Sequence, residues 1–274
     1  MSTLLNVAAL ILPLGYLLVA LGYGAIFFVS HPRAERWAPL ALRVFALLHL
    51  LYLAGLTLQW GQFPAATVSQ ALSMIALAVA VVYIFVEARA GERSTGFWLV
   101  LLVFVFQLLA SLLATPQPPA RAIFHDPLFG IHVALALLGY AAFVVGAGYA
   151  FLYLQLYRDL KSGRFSTFFG KLPPLEMLER LMTGALVSGF VALTGAGIVG
   201  AIWAQRLFPG AWLHDPKILF TFATWALYAL VFLFRRLRRW QGPQTAFASL
   251  AGLAAILFSL VAINVFFTDF HGFL

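Results

Sequence analysis

The chain has 274 residues, 63% of them hydrophobic and only 9% charged, so it lacks the polar material to cover a water-soluble core. A net charge of +8 would point to nucleic acid in a soluble domain, but here the basic residues stand in short connections between apolar runs and form no stripe interleaved with aromatics. Cysteine is absent, which excludes disulfides, thiolate nucleophiles and Cys-ligated metals.

A hydrocarbon core about 30 Å thick takes roughly 20 apolar residues per helical span. Open sheets are excluded in lipid because their edge amides go unpaired, and the runs are too long and too evenly apolar for barrel strands. Breaks at polar, Pro-rich or Gly-rich connections predict eight spans, at 4–29, 39–59, 67–87, 97–114, 129–157, 177–205, 217–235 and 246–267. The expected fold is all-α, a polytopic membrane helical bundle. It reads as a single domain over 1–274, because no repeat, low-complexity tract or polar segment divides it.

The first run, "MSTLLNVAALILPLGYLLVALGYGAIFF", has no basic leader and is long enough to span, which predicts a retained helix rather than a signal peptide. The second carries His49 in "VFALLHLLYL", near mid-span with apolar neighbours. Ionisable groups at that depth are costly and face a partner, a cavity or a cofactor. Three roles stay open for it: an interhelical hydrogen bond, a cofactor ligand or a proton relay.

After the fourth run, "PPARAIFHDP" sets His125 beside Asp126, and the fifth opens with His132 in "GIHVALALLGY". The longest connection follows, in "RFSTFFGKLPPLEMLERLM", where Pro173 and Pro174 end one element and can start the next. It is expected to lie along the membrane interface, with Phe165, Phe168 and Phe169 in lipid and Lys171 and Arg180 at anionic headgroups. Between the sixth and seventh runs, "AWLHDPKILFTFATW" gathers Trp212, His214, Asp215, Lys217 and Trp225. The basic "RRLRR" at 235–239 reads as a topology anchor, and the chain closes on "INVFFTDFHGFL" with His271.

Lys and Arg set the orientation. The connections after spans 1, 3, 5 and 7 carry fourteen of them with their flanks, whereas the other side has three, Arg121, Arg206 and Lys217. The first set is therefore expected in the cytoplasm and both termini outside the cell or plasma (inner) membrane. His125, His132, His214 and His271 then gather at the outer face, while His31 falls on a cytoplasmic connection.

Imidazoles from separate elements, with aromatic rings and no thiols, match zinc poorly, since its ligands are usually closer in sequence or include Cys. Haem matches better: its iron takes axial imidazoles from different helices, and the macrocycle needs a flat aromatic-lined slot. Trp203, Phe208, Trp212 and Trp225 are candidates for such a slot, with Arg121, Arg206 or Lys217 for the propionates. An aromatic belt with snorkelling bases would show the same composition.

At these residues the sequence resembles the CcsA/ResC family of cytochrome c assembly proteins. The hallmark of that family is an outer loop of the form WGxxWxWDPKExWxxxxWxxY between two outer histidines. "LFPGAWLHDPKILFTFATWALY" keeps Trp212, Asp215, Pro216, Lys217, Trp225 and Tyr228 in that spacing. "IHVALALLGYAAF" and "INVFFTDFHGFL" resemble the segments carrying the two histidines, which would make them His132 and His271, and the likeness covers 128–274. The leading Trp-Gly is absent, His214 stands where a Trp would be, and Ile218 replaces the Glu. HemX-like relatives, associated with control of haem biosynthesis, keep this motif poorly and offer the alternative reading.

The resemblance implies cytochrome c biogenesis. It implies haem b held by His132 and His271 under a loop with Trp212, His214, Asp215 and Trp225, and delivered to the CxxCH thiols of an apocytochrome c. His49 would be the counterpart of the intramembrane histidine of the family, its second ligand supplied by a ResB/Ccs1-like membrane partner. A small-solute transporter is disfavoured, since paired broken spans are not evident and intramembrane charge is almost absent.

Overall fold

The structure is a computed structural model that describes residues 2–65, 67–114, 125–163, 169–207, 216–238, 240 and 242–258. Its helices are α1 (Ser2–Val29), α2 (Pro32–Trp60), α3 (Val68–Ala90), α4 (Gly96–Leu112), α5 (Pro127–Ser162), α6 (Leu175–Leu207), α7 (Pro216–Arg238) and α8 (Gly242–Phe258). Among the described residues six helices are long and apolar enough to cross a membrane, and α4 is a shorter apolar helix of 17 residues. The protein is a multi-pass, all-helical membrane bundle.

Helices overrun the hydropathy boundaries where charged turns continue them. α2 begins at Pro32 rather than at 39, with Pro in its first turn, where a missing N–H costs nothing. It ends on Gly61, whose φ of 64° lets its N–H close onto Thr57 O at 2.8 Å.

The contacts fall into two compact units, residues 1–125 with 163–174, and 126–162 with 175–274. In the first, α1 buries a stripe at Leu12, Tyr16, Val19, Tyr23 and Phe27, a helical period, while Leu10, Leu14 and Leu21 face outward. The Tyr16 and Tyr23 side chains thus face the protein, while the outward face of α1 is apolar, as a lipid-facing surface is. At the end of α1, Lys171 Nζ donates to Phe28 O at 2.8 Å and lies over the Phe27 and Phe28 rings. Lys171, expected at anionic headgroups, thus also holds a terminal carbonyl of α1, as a cation at a helix C-terminus does. Nearby, buried Glu87 accepts the Tyr23 hydroxyl and lies 3.8 Å from Arg93.

In the second unit α5 and α6 pack backbone to backbone at Gly139 and Gly189. A methyl on Gly189 would lie 3.0 Å from Gly139 O and 2.8 Å from Phe143. Phe143 in turn stacks on Tyr228 of α7 with centroids 3.9 Å apart. Arg235 is more than a topology anchor, since its guanidinium donates to Glu179 Oε1 at 3.2 Å and Thr245 Oγ1 at 2.7 Å, tying α6, α7 and α8 together.

Candidate functional site

His132 sits in the second turn of α5, one face against α6. Asp126 caps that helix: its Oδ1 accepts the Leu128 N–H at 2.8 Å, as an N-terminal Asp before Pro does. Its Oδ2 accepts the indole N–H of Trp203 at 2.9 Å, and Trp203 stacks beside the His132 ring at 6.4 Å and 20°. On the other side Gly200 leaves room for the ring, because a methyl there would lie 2.5 Å from Nδ1. Nδ1 pairs with the carbonyl of Ala196 at 2.8 Å. A carbonyl only accepts, so Nδ1 carries the proton and Nε2 of the neutral ring holds the electron pair. This is the arrangement in which proteins present imidazole to a metal, with the far N–H tied to a backbone oxygen.

Trp225 belongs to α7 and packs elsewhere along α6. It stacks between Phe190 and Phe222 and donates to Thr194 Oγ1 at 2.8 Å, so its α6 contacts fall on the N-terminal side of those made by His132. Trp212, His214, Asp215 and His271 lie outside the described residues. Among the described residues, no three His, Asp or Glu side chains gather as a metal-ion site. His125 ties to its own unit, with Nδ1 donating to Gly61 O at 2.6 Å.

His49 is fully enclosed in the first unit, at 0% exposure. Nδ1 meets the Tyr16 hydroxyl at 3.1 Å and Nε2 meets Ser73 Oγ at 2.8 Å. Ser73 continues to Gln107 Oε1 at 2.9 Å, Gln107 Nε2 to Ser111 Oγ at 3.4 Å, and Ser111 to Ala9 O at 2.6 Å. The chain joins α1, α2, α3 and α4 and satisfies each buried group, as an apolar interior demands.

Ser73 and Gln107 lie outside the histidines and the tryptophan-rich loop, and Asp126 stands in the sequence only as the neighbour of His125. Two signals mark them: an Asp-Pro pair at a helix start, and polar residues inside runs that should face lipid or a partner.

The sequence profile described as Cytochrome C assembly protein matches residues 37–271. The chain belongs to the cytochrome c assembly protein family. Within that family it is similar to two proteins named cytochrome c biogenesis protein CcsA from Synechococcus. One, from strain RCC307, is 28% identical over 305 aligned residues that cover 100% of this chain and 97% of the relative. The other, from strain CC9605, is 25% identical, covering 94% of each. A CcsA from Chlamydomonas reinhardtii is 23% identical over 82% of this chain and 65% of its own length. The match to the cytochrome c assembly family takes in α2 with His49 as well as the C-terminal half that carries the quoted motifs.

Proposed function

We propose that this chain serves cytochrome c biogenesis in the cell inner (plasma) membrane, holding haem b at the outer face through His132 and His271. The observation that carries the reading is the His132 imidazole. Its proton is engaged by Ala196 O, its plane is set by Trp203 and Gly200, and its electron pair is on Nε2. Family membership and the matching names of the relatives support it.

In this reading Trp212, His214 and Asp215 belong to the cover over the site, Trp225 supports it from below through Phe190 and Thr194, and Arg206, exposed at the C-terminal end of α6, is available to a propionate. Haem b, when bound, supplies the vinyl groups to which the cysteines of an apocytochrome c add. The chain itself binds, orients and excludes water; without cysteine it cannot hold the acceptor as a mixed disulfide. A ResB/Ccs1-like membrane protein is the proposed partner.

The test is a visible spectrum of the detergent-purified protein, oxidised and reduced, beside His132→Ala and His271→Ala. Stoichiometric six-coordinate haem weakened by both substitutions is the expected result. A colourless protein that takes up no added haem would overturn the reading and favour a HemX-like regulatory role, to which the departures in the loop motif also point.

A further inference from the structure

The end of α1, the connection between α3 and α4 and the segment before α6 meet around a cleft of about 380 Å³ within the first unit. Its walls carry Phe27, Glu35, Glu92, Arg93, Ser94 and Lys171. α1 ends at Val29, α2 begins at Pro32, α3 ends at Ala90 and α4 begins at Gly96, so the cleft stands at helix ends. Of these helices α1, α2 and α3 are long and apolar enough to cross a membrane, and the ends of such helices reach the headgroup layer.

The charges on the wall balance. Arg93 and Lys171 oppose Glu35 and Glu92, and each pair has bonding capacity left among the described residues. Lys171 Nζ gives one of its three N–H to Phe28 O, and Arg93 gives Nη1 to Glu35 O at 2.8 Å and keeps Nη2. Glu92 accepts the Ser94 N–H on one carboxylate oxygen at 2.8 Å and keeps the other. Ser94 Oγ is buried and has no hydrogen-bond partner among the described residues. Buried hydroxyls are almost always paired, so this one points to a partner outside the protein.

An anion would satisfy the two bases and be repelled by the two carboxylates, and a simple cation would do the reverse. A zwitterion with a phosphate and a primary ammonium serves all four. We propose that the cleft binds the headgroup of an ethanolamine phospholipid, its phosphate on Lys171, Arg93 and the Ser94 hydroxyl and its ammonium on Glu35 and Glu92. The position at the headgroup layer favours a lipid over soluble phosphoethanolamine. Exposed Phe28, its ring 5.6 Å from Lys171 Nζ, adds apolar surface for an acyl chain to follow. One lipid held in this way ties the segment before α6 to α1 and to the α3–α4 connection. No described histidine lines the cleft, so the proposal stands apart from the haem reading.

The full chain, delipidated in mild detergent, is titrated with ethanolamine, glycerol and choline phospholipids of one acyl composition, and binding is read by native mass spectrometry. Ethanolamine lipid is expected to bind one per chain and about fivefold more tightly than the others, since glycerol carries no positive charge and choline has no N–H to donate. Glu35→Gln combined with Glu92→Gln keeps an acceptor for the Ser94 N–H and leaves a positive wall, so the preference should pass to the glycerol lipid. A fault in folding would not reorder the lipids. Ser94→Ala breaks no hydrogen bond of the described protein, so it should leave the melting temperature of the delipidated chain unchanged and reduce the rise that ethanolamine lipid produces. Equal binding of the three lipids by the wild type, or an unchanged order in the double variant, overturns the proposal. Soluble phosphoethanolamine should bind more weakly than the lipid; equal binding overturns the membrane source and assigns the cleft to a free zwitterion.

Discussion

Trp203 lies alongside the His132 ring at 20°, and the carboxylate of Asp126 holds the indole in that place. One side chain thus starts α5 and steadies the group that packs on the candidate ligand. Asp126→Ala should lower stability by about 1–2 kcal/mol, through the lost cap and the orphaned indole N–H. It should also weaken haem uptake. Asp126→Asn, which still caps, should lose roughly half as much. Thermal unfolding in detergent and haem titration of the three proteins check this.

Gly200→Ala should behave like His132→Ala in haem uptake while the helices remain. Its methyl would lie 2.5 Å from Nδ1, so the ring must swing away from Ala196 O. Circular dichroism should match the wild type as the haem band falls. Normal haem content would show that the ring orientation is dispensable.

Two glycines on the same helix give an internal control for packing. Gly189→Ala presses on Phe143 and Gly139 O and should cost about 1–3 kcal/mol. Gly197 has open space around it, so Gly197→Ala should be neutral or stabilise by up to about 1 kcal/mol through helix propensity. Melting temperatures measured side by side decide the order.

Arg235 and Arg236 are neighbours with the same charge and different surroundings. Arg235→Gln breaks the bonds to Glu179 and Thr245 and should cost about 1 kcal/mol. Exposed Arg236→Gln should cost close to nothing. Equal effects in thermal unfolding would mean that charge count alone matters at this end of the bundle.

The helical runs were legible from hydropathy because a span must cover the hydrocarbon thickness, a condition that six of the described helices meet by length and composition. Their ends were not: α2 and α5 continue through charged turns that hydropathy assigns to water. His132 could be singled out by resemblance, and His49 by its cost among apolar neighbours. What each imidazole does with its two nitrogens was beyond the sequence. His49 meets Tyr16 and Ser73 at separations of 33 and 24 residues, and Ser73 meets Gln107 at 34. Periodicity along one helix carries no information about donors on another. Composition and charge determined that the chain is a membrane bundle and gave its expected orientation. The tertiary structure decided which nitrogen of His132 holds the proton, because the carbonyl it meets has no hydrogen to give.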